Sequence, residues 1–193
     1  KDERFVGKDI SVIGHSWGGF SALNISAFHP DLSHIVALSG FVSVELLVNS
    51  CFGGLLKGYR KAVMQVEQSA NPDFVGCQAV ESLSKTKAKV LLIYSDNDRL
   101  CRKEVHYDAL KKGLEGKENI RFLLEQGKGH NPNYTADAVK YLGEYGSQRA
   151  KRMRKKQSET DLQKKEFLAS WDWDRMTAQD ERVWDEIFRC FDS

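Results

Sequence analysis

The stretch that decides the fold is residues 10–20, ISVIGHSWGGF. Three of its first four residues are β-branched, which favours a short buried strand. Residues 14–18, Gly-His-Ser-Trp-Gly, then fit the pattern G-x-S-x-G, and residues 19–28 have the composition of a helix. A strand, a tight turn and a helix are the context in which a strained turn holds up a reactive serine, here Ser16.

The glycines of this motif have a steric explanation. The chain must pass close to the serine on both sides, and we expect Gly14 and Gly18 to permit this because they have no Cβ atom. The helix that begins after Ser16 would also point backbone N–H groups and the positive end of its dipole at the reacting oxygen.

The sequence GHSWGG after a hydrophobic strand resembles the nucleophile elbow of the α/β-hydrolase superfamily. The resemblance implies an α/β fold, a mostly parallel sheet with flanking helices, with Ser16 as nucleophile and the backbone N–H of Trp17 as one oxyanion donor. In that family several strands precede the elbow, together with the loop that supplies the second oxyanion donor. This sequence shows no counterpart for them, so we expect about four strands, with the elbow strand at an open edge.

The acid of the resembled family lies in a turn after a later strand. Residues 88–94 are the strongest strand signal in the chain, and Ser95-Asp96-Asn97-Asp98-Arg99 follows them. Parallel sheets place their sites at the carboxyl ends of strands. The resemblance favours Asp98, the second aspartate of the turn, although Ser95 replaces the usual glycine. Asp96 is the alternative acid, and turn capping is its other expected role.

The histidine of the resembled family follows the next strand. Residues 119–124 predict that strand, and His130 comes after Gly129 in the loop beyond it. The order Ser16, Asp98, His130 is the order that this family requires. His130 would take the serine proton and Asp98 would fix its tautomer; the alternative for His130 is a solvent-exposed loop histidine.

The remaining segments suggest a core with additions. We assign residues 1–146 to the α/β core, with a cap-like insertion at 41–87. Helical spacing predicts helices at 45–49, 59–68, 78–84, 104–113 and 134–144. We expect the apolar residues of this insertion either to line an acyl or aromatic pocket or to pack as ordinary core. His106 is predicted on the surface of its helix.

Residues 147–193 differ in charge from the core. Residues 147–167 contain eight Lys and Arg residues but three acidic residues. Such a segment is expected either to bind nucleic acid or a membrane surface or to form a solvated helix face. The absence of interleaved aromatic residues favours the solvated face. Further on, Thr177 and Asp180 resemble a capping box, and residues 183–191 predict an amphipathic helix that packs on the core.

Composition narrows the class of protein. The chain has 193 residues with 41% hydrophobic content, which is enough for one domain. Its net charge of +2 gives no indication of a nucleic-acid partner. No apolar run has the length of a membrane span. The four cysteines have no metal-ligand spacing, which favours free thiols in a reducing, cytoplasmic compartment. No metal or organic cofactor is implied.

The sequence therefore predicts a serine hydrolase that acts on a carboxylic ester or related acyl compound through an acyl-enzyme. The alternatives are a peptidase of the prolyl-oligopeptidase-like or proline-iminopeptidase-like branches, a thioesterase or acyltransferase, and a non-catalytic binding or assembly module. The expected substrate is a small acyl ester or short peptide. An unpaired edge strand also predicts self-association or pairing with a partner segment.

Overall fold

The structure is a computed structural model that describes residues 3–154 and 160–193. One parallel sheet contains four strands in the order β1-β2-β3-β4. The strands are β1 (Ser11–His15), β2 (His34–Leu38), β3 (Lys89–Ser95) and β4 (Ile120–Glu125). The α/β class and the number of strands are as the sequence predicts, and β1 lies at the edge of the sheet.

Helices connect and flank these strands. In chain order they are α1 (Trp17–Asn24), α2 (Val44–Cys51), α3 (Tyr59–Ala70), α4 (Ala79–Lys85), α5 (Tyr107–Gly113), α6 (Ala136–Arg154), α7 (Asp161–Ala169), α8 (Trp173–Met176) and α9 (Glu181–Phe191). Short 3₁₀ helices occupy Glu3–Phe5, Ile25–Ala27 and Gly54–Gly58.

The central strands β2 and β3 are buried on both faces of the sheet, to which their successive residues point in turn. On one face, Ile35 and Leu92 pack with Leu23 of α1 and Leu83 of α4. On the opposite face the alternate residues of β2 and β3 pack against the apolar side of α9, in the cluster Val36, Leu38, Leu91, Ile93, Val183, Ile187 and Cys190. The helix α9 is therefore the cover of one sheet face.

The start of α9 differs from the sequence expectation. Asp180, rather than Thr177, is the N-cap residue, and its carboxylate accepts a hydrogen bond from the Arg182 amide. Thr177 instead ends α8, where its hydroxyl donates to the Trp173 carbonyl. The predicted capping box is therefore wrong, and a capping box is found at the start of α7, between Thr160 and Gln163.

The insertion between β2 and β3 packs mainly as core. Phe41 and Leu47 are buried in a cluster with Phe20 of α1. Leu55, by contrast, is fully exposed in the 3₁₀ turn that precedes α3. Of the two readings of this insertion, ordinary core packing describes Phe41 and Leu47.

The C-terminal part continues the helix predicted to end at residue 144 as far as Arg154. Tyr145 extends its packing, because its ring contacts Phe167, Trp171 and Trp173. The described basic residues of 147–167 lie mostly exposed on α6 and α7, whereas Lys155 and Lys156 lie outside the described residues. Within the described ranges, every helix is too short or too polar to cross a membrane.

Candidate active site

The turn between β1 and α1 places Ser16 in a strained backbone conformation. Ser16 has φ 58° and ψ −115°, a region that residues with a side chain rarely adopt. Its amide donates to the Leu38 carbonyl at 2.9 Å, and its carbonyl accepts from the Phe20 amide at 2.9 Å. The neighbouring strand and the helix together hold the serine in this conformation.

Two glycines, Gly14 and Gly19, permit this turn, whereas the sequence predicts Gly14 and Gly18. A Cβ atom on Gly14 would lie 2.0 Å from the carbonyl oxygen of Gly18. A Cβ atom on Gly19 would lie 2.8 Å from Cα of Gly40 and 2.9 Å from the Leu38 carbonyl oxygen. At Gly18 a Cβ atom would meet nothing within 4 Å. The expectation is therefore wrong for Gly18, since the close approach is made at Gly14 and Gly19.

The three predicted side chains lie in one hydrogen-bonded row. Ser16 Oγ is 2.9 Å from His130 Nε2, and His130 Nδ1 is 2.8 Å from Asp98 Oδ2. The carboxylate is an acceptor, so Nδ1 carries the proton and Nε2 is free to accept the serine proton. This arrangement can transfer a proton from a hydroxyl to an imidazole held in one tautomer.

The carboxylate of Asp98 is held in its charged form. Its side chain is fully buried, and its Oδ1 accepts from the amides of Leu100 at 2.8 Å and Cys101 at 3.0 Å. Burial by itself would raise the pKa of Asp98, but the hydrogen bond and charge of His130 and the two amides lower it below its usual value. Asp98 can therefore stabilise a positively charged His130.

Asp96, the alternative acid, has a different partner. Its Oδ1 accepts from the Gly127 amide at 2.8 Å, in the loop that carries His130. Ser95 Oγ accepts from the Lys128 amide at 2.9 Å, and Asn97 Oδ1 accepts from the Gly129 amide at 2.7 Å. Asp96 thus holds the histidine loop in place, which leaves Asp98 as the carboxylate that contacts His130.

The first turn of α1 carries Trp17, whose amide is one of the N–H groups that a helix start leaves without an intrahelical partner. Its indole is half exposed and meets the ring of Phe41 edge-on, with centroids 4.7 Å apart. Phe41 in turn stacks on Phe20 at 4.5 Å. An aromatic wall therefore begins at the residue after Ser16.

His106 is buried, contrary to the sequence expectation. Its Nδ1 accepts from the Val42 amide at 3.2 Å, and burial lowers the pKa of His106 to about 4. Nearby, the hydroxyl of Tyr94 donates to the Gly40 carbonyl at 2.6 Å. These buried side chains fix residues 40–42, which pack against the elbow helix at Gly19. His106 immediately precedes α5 and lies four residues before the buried Leu110. This spacing alone does not favour burial of a polar ring, because its partner Val42 lies outside the segment.

A further side chain that sequence reasoning missed is His15, inside the motif itself. Its Nε2 lies 2.7 Å from the His130 carbonyl oxygen, and the two imidazole rings are 4.9 Å apart. Its position next to the nucleophile was the only signal for it in the sequence.

In the part of the chain that the structure describes, one group of three side chains has donor atoms close enough together for a metal ion. Single ligand atoms of Asp98, Cys101 and His130 lie within 4.8 Å of one another. However, Asp98 and His130 hydrogen-bond to each other, and burial raises the pKa of the Cys101 thiol. A protonated thiol is not a metal ligand, so the donor chemistry of this group suits a catalytic row better than a metal site.

Comparison with known proteins places the chain in a family. A family model described as "Putative esterase" matches residues 2–179, and the chain belongs to that family. The resemblance to α/β-hydrolases is thereby confirmed. No curated protein matches the chain.

Solved structures similar to the chain include three hydrolases. A monoacylglycerol lipase of Paleococcus ferrophilus is 16% identical with a TM-score of 0.49, and the match covers 66% of this chain and 62% of that one. The esterase domain of a Rhodothermus marinus protein is 15% identical with a TM-score of 0.45, and the match covers 74% of this chain and 59% of that one. The acylaminoacyl peptidase of Pyrococcus horikoshii is 20% identical with a TM-score of 0.46, and the match covers 63% of this chain and 20% of that one. The chain thus spans less than two thirds of the length of each of them.

Proposed function

We propose that this chain is a serine hydrolase that cleaves carboxylic esters through a covalent acyl-enzyme. The observation that carries the proposal is the continuous hydrogen-bonded row from Asp98 through His130 to Ser16. Membership of the esterase family supports the same reaction class.

The reaction follows from the order of donors and acceptors in this row. Ser16 Oγ attacks the ester carbonyl carbon while its proton moves to His130 Nε2. The tetrahedral intermediate then collapses, the C–O bond to the leaving group breaks, and His130 returns the proton to the departing alcohol. A water molecule repeats the sequence on the acyl-enzyme, which releases the carboxylic acid and restores the Ser16 hydroxyl.

The start of α1 supplies the electrostatic part of this proposal. The Trp17 amide would donate to the oxyanion, aided by the positive end of the helix dipole. Loss of one such donor typically costs about 10²–10³ in rate. The half-exposed Trp17 ring would contact the substrate beside the reacting carbonyl, which favours a small acyl or aromatic ester.

We also propose a cytoplasmic location. The four cysteines, Cys51, Cys77, Cys101 and Cys190, are free thiols. Unpaired cysteines are typical of proteins in a reducing compartment.

The test is labelling with a fluorophosphonate probe followed by mass mapping, together with turnover of p-nitrophenyl acetate. The adduct is expected on Ser16, and Ser16→Ala is expected to abolish both labelling and turnover without a change in melting temperature. Ser21→Ala is the matched control, because that exposed hydroxyl lies on α1 and, among the described residues, bonds to the Trp17 carbonyl alone. A short peptide p-nitroanilide, run alongside, distinguishes an esterase from a peptidase.

Equal turnover by Ser16→Ala and the unaltered chain would refute Ser16 as the nucleophile. A folded, unaltered chain that neither labels nor turns over the ester would favour the binding-module alternative instead.

A further inference from the structure

The residue before the nucleophile reaches the loop that carries the histidine. His15 is the last residue of β1, and its Nε2 lies 2.7 Å from the backbone carbonyl oxygen of His130. A carbonyl oxygen only accepts hydrogen bonds, so Nε2 of His15 carries a proton and donates it. The two imidazole rings lie 4.9 Å apart at an angle of 50°.

This contact joins two loops that are otherwise supported separately. Ser16 is held by the Leu38 carbonyl of β2, whereas the loop that carries His130 is held by the side chains of residues 95–97, at the end of β3 and in the turn after it. Among the described residues, two hydrogen bonds connect the elbow to His130: the catalytic one from Ser16 and the one from His15. The catalytic bond must break and reform in each cycle, but the His15 bond is free to persist.

We propose that His15 is a positioning residue, whose donated hydrogen bond holds the His130 backbone at the distance from which Nε2 reaches Ser16 Oγ. This inference rests on the proposed function, because it assigns His15 a part in bringing the proposed base to the proposed nucleophile. A displacement of about 1 Å at a reacting group can cost about 10²-fold in rate.

The charges around His15 agree with this role. The titratable groups that act on it are His130 and Asp98. Partial burial, and to a smaller extent the neighbouring His130, lower the pKa of His15, while the bond to the His130 carbonyl and the Asp98 charge oppose that change. A neutral His15 does not repel His130 when His130 takes up the serine proton.

Because His15 is exposed, its substitution is expected to leave the packing of the core unchanged. Its side chain is open to solvent on one side, so its replacement leaves no enclosed cavity in the core. His15→Phe keeps a ring of similar size but removes the donor, and His15→Gln keeps an N–H donor on a flexible side chain. Ser11→Ala is the control, because it removes the side-chain hydrogen bond to His34 at the other end of the same strand.

Three measurements on the full chain test the proposal: fluorophosphonate labelling rate, kcat and KM for p-nitrophenyl acetate, and amide hydrogen exchange of residues 126–133. His15→Phe is expected to slow labelling and kcat by about 10- to 100-fold with KM within about twofold. It is also expected to speed exchange in 126–133 by at least about tenfold, with the melting temperature kept. His15→Gln should restore most of each value, and Ser11→Ala should match the unaltered chain.

Normal exchange in 126–133 for a folded His15→Phe variant would overturn the positioning role. Equal labelling rates for His15→Phe and the unaltered chain, or a His15→Gln variant as slow as His15→Phe, would overturn it as well. The exchange measurement does not need turnover, so failure of the proposed function would show separately, as an unaltered chain that does not label at Ser16.

Discussion

Gly14→Ala is expected to inactivate the site, and the structure gives the size of the effect. The new Cβ would lie 2.0 Å from the Gly18 carbonyl oxygen, 2.3 Å from its carbon and 2.9 Å from the Gly19 nitrogen. All three atoms belong to backbone that no rotamer change can move aside. To reach an ordinary contact of at least 3.4 Å, the turn must open by more than about 1 Å, which corresponds to a rate loss of about 10²-fold or more at Ser16.

The same clash should lower stability. Overpacking typically costs about 1–3 kcal/mol. For a chain of this length each kcal/mol lowers the melting temperature by roughly 2–4 °C. We therefore expect the Gly14→Ala variant to stay folded but to melt several degrees lower, and to label with a fluorophosphonate at least about 10²-fold more slowly.

Gly18→Ala is the control, because it adds the same atom four residues away in the same turn. A Cβ at Gly18 meets nothing within 4 Å, so labelling and melting temperature should stay close to those of the unaltered chain. If Gly14→Ala labels at the normal rate, or if Gly18→Ala is the more damaging of the two, the steric account of the elbow is wrong.

Two predictions concern charge. The pKa of His106 is about 4 in the fold against 6.5 ordinarily, so the unfolded chain takes up this proton first as the pH falls. Stability should therefore be lost between pH 6.5 and 4, by about 3 kcal/mol at 1.36 kcal/mol per pKa unit. Urea unfolding of His106→Asn, which keeps an acceptor for Val42, should show a weaker pH dependence; an unchanged slope would contradict this. Asp98→Asn should lower kcat by about 10⁴-fold because His130 loses its tautomer, and ester turnover within tenfold of normal would point to another acid.

The sheet and the hydrogen-bonded row of three side chains could be predicted because their signals are local. Ser16, Asp98 and His130 each lie in the turn or loop that follows an apolar strand, and parallel strands bring their carboxyl ends to one edge. A motif of a few residues and the strand before it therefore contain most of the information. The choice between Asp96 and Asp98 needed the structure, since both lie in the same turn and each reaches the histidine loop.

What the sequence could not predict depends on partners far along the chain. His106 is buried because its Nδ1 accepts from the Val42 amide, 64 residues away, and a polar ring without that partner would favour the surface. The helix α6 passes residue 144 because Tyr145 packs against Phe167 and Trp171. Helical periodicity in a single segment contains neither contact.

The contacts of the histidine loop explain why residues after His130 belong to the site. The Asp180 carboxylate caps α9 through the Arg182 amide and also pairs with Lys128 Nζ at 2.8 Å. One side chain thus sets both where α9 begins and where the loop beside His130 lies. The Glu125 carboxylate, at the end of β4, pairs with the guanidinium of Arg182. Because the apolar side of α9 also covers one face of β2 and β3, packing of that helix on the sheet also supports the loop that carries His130.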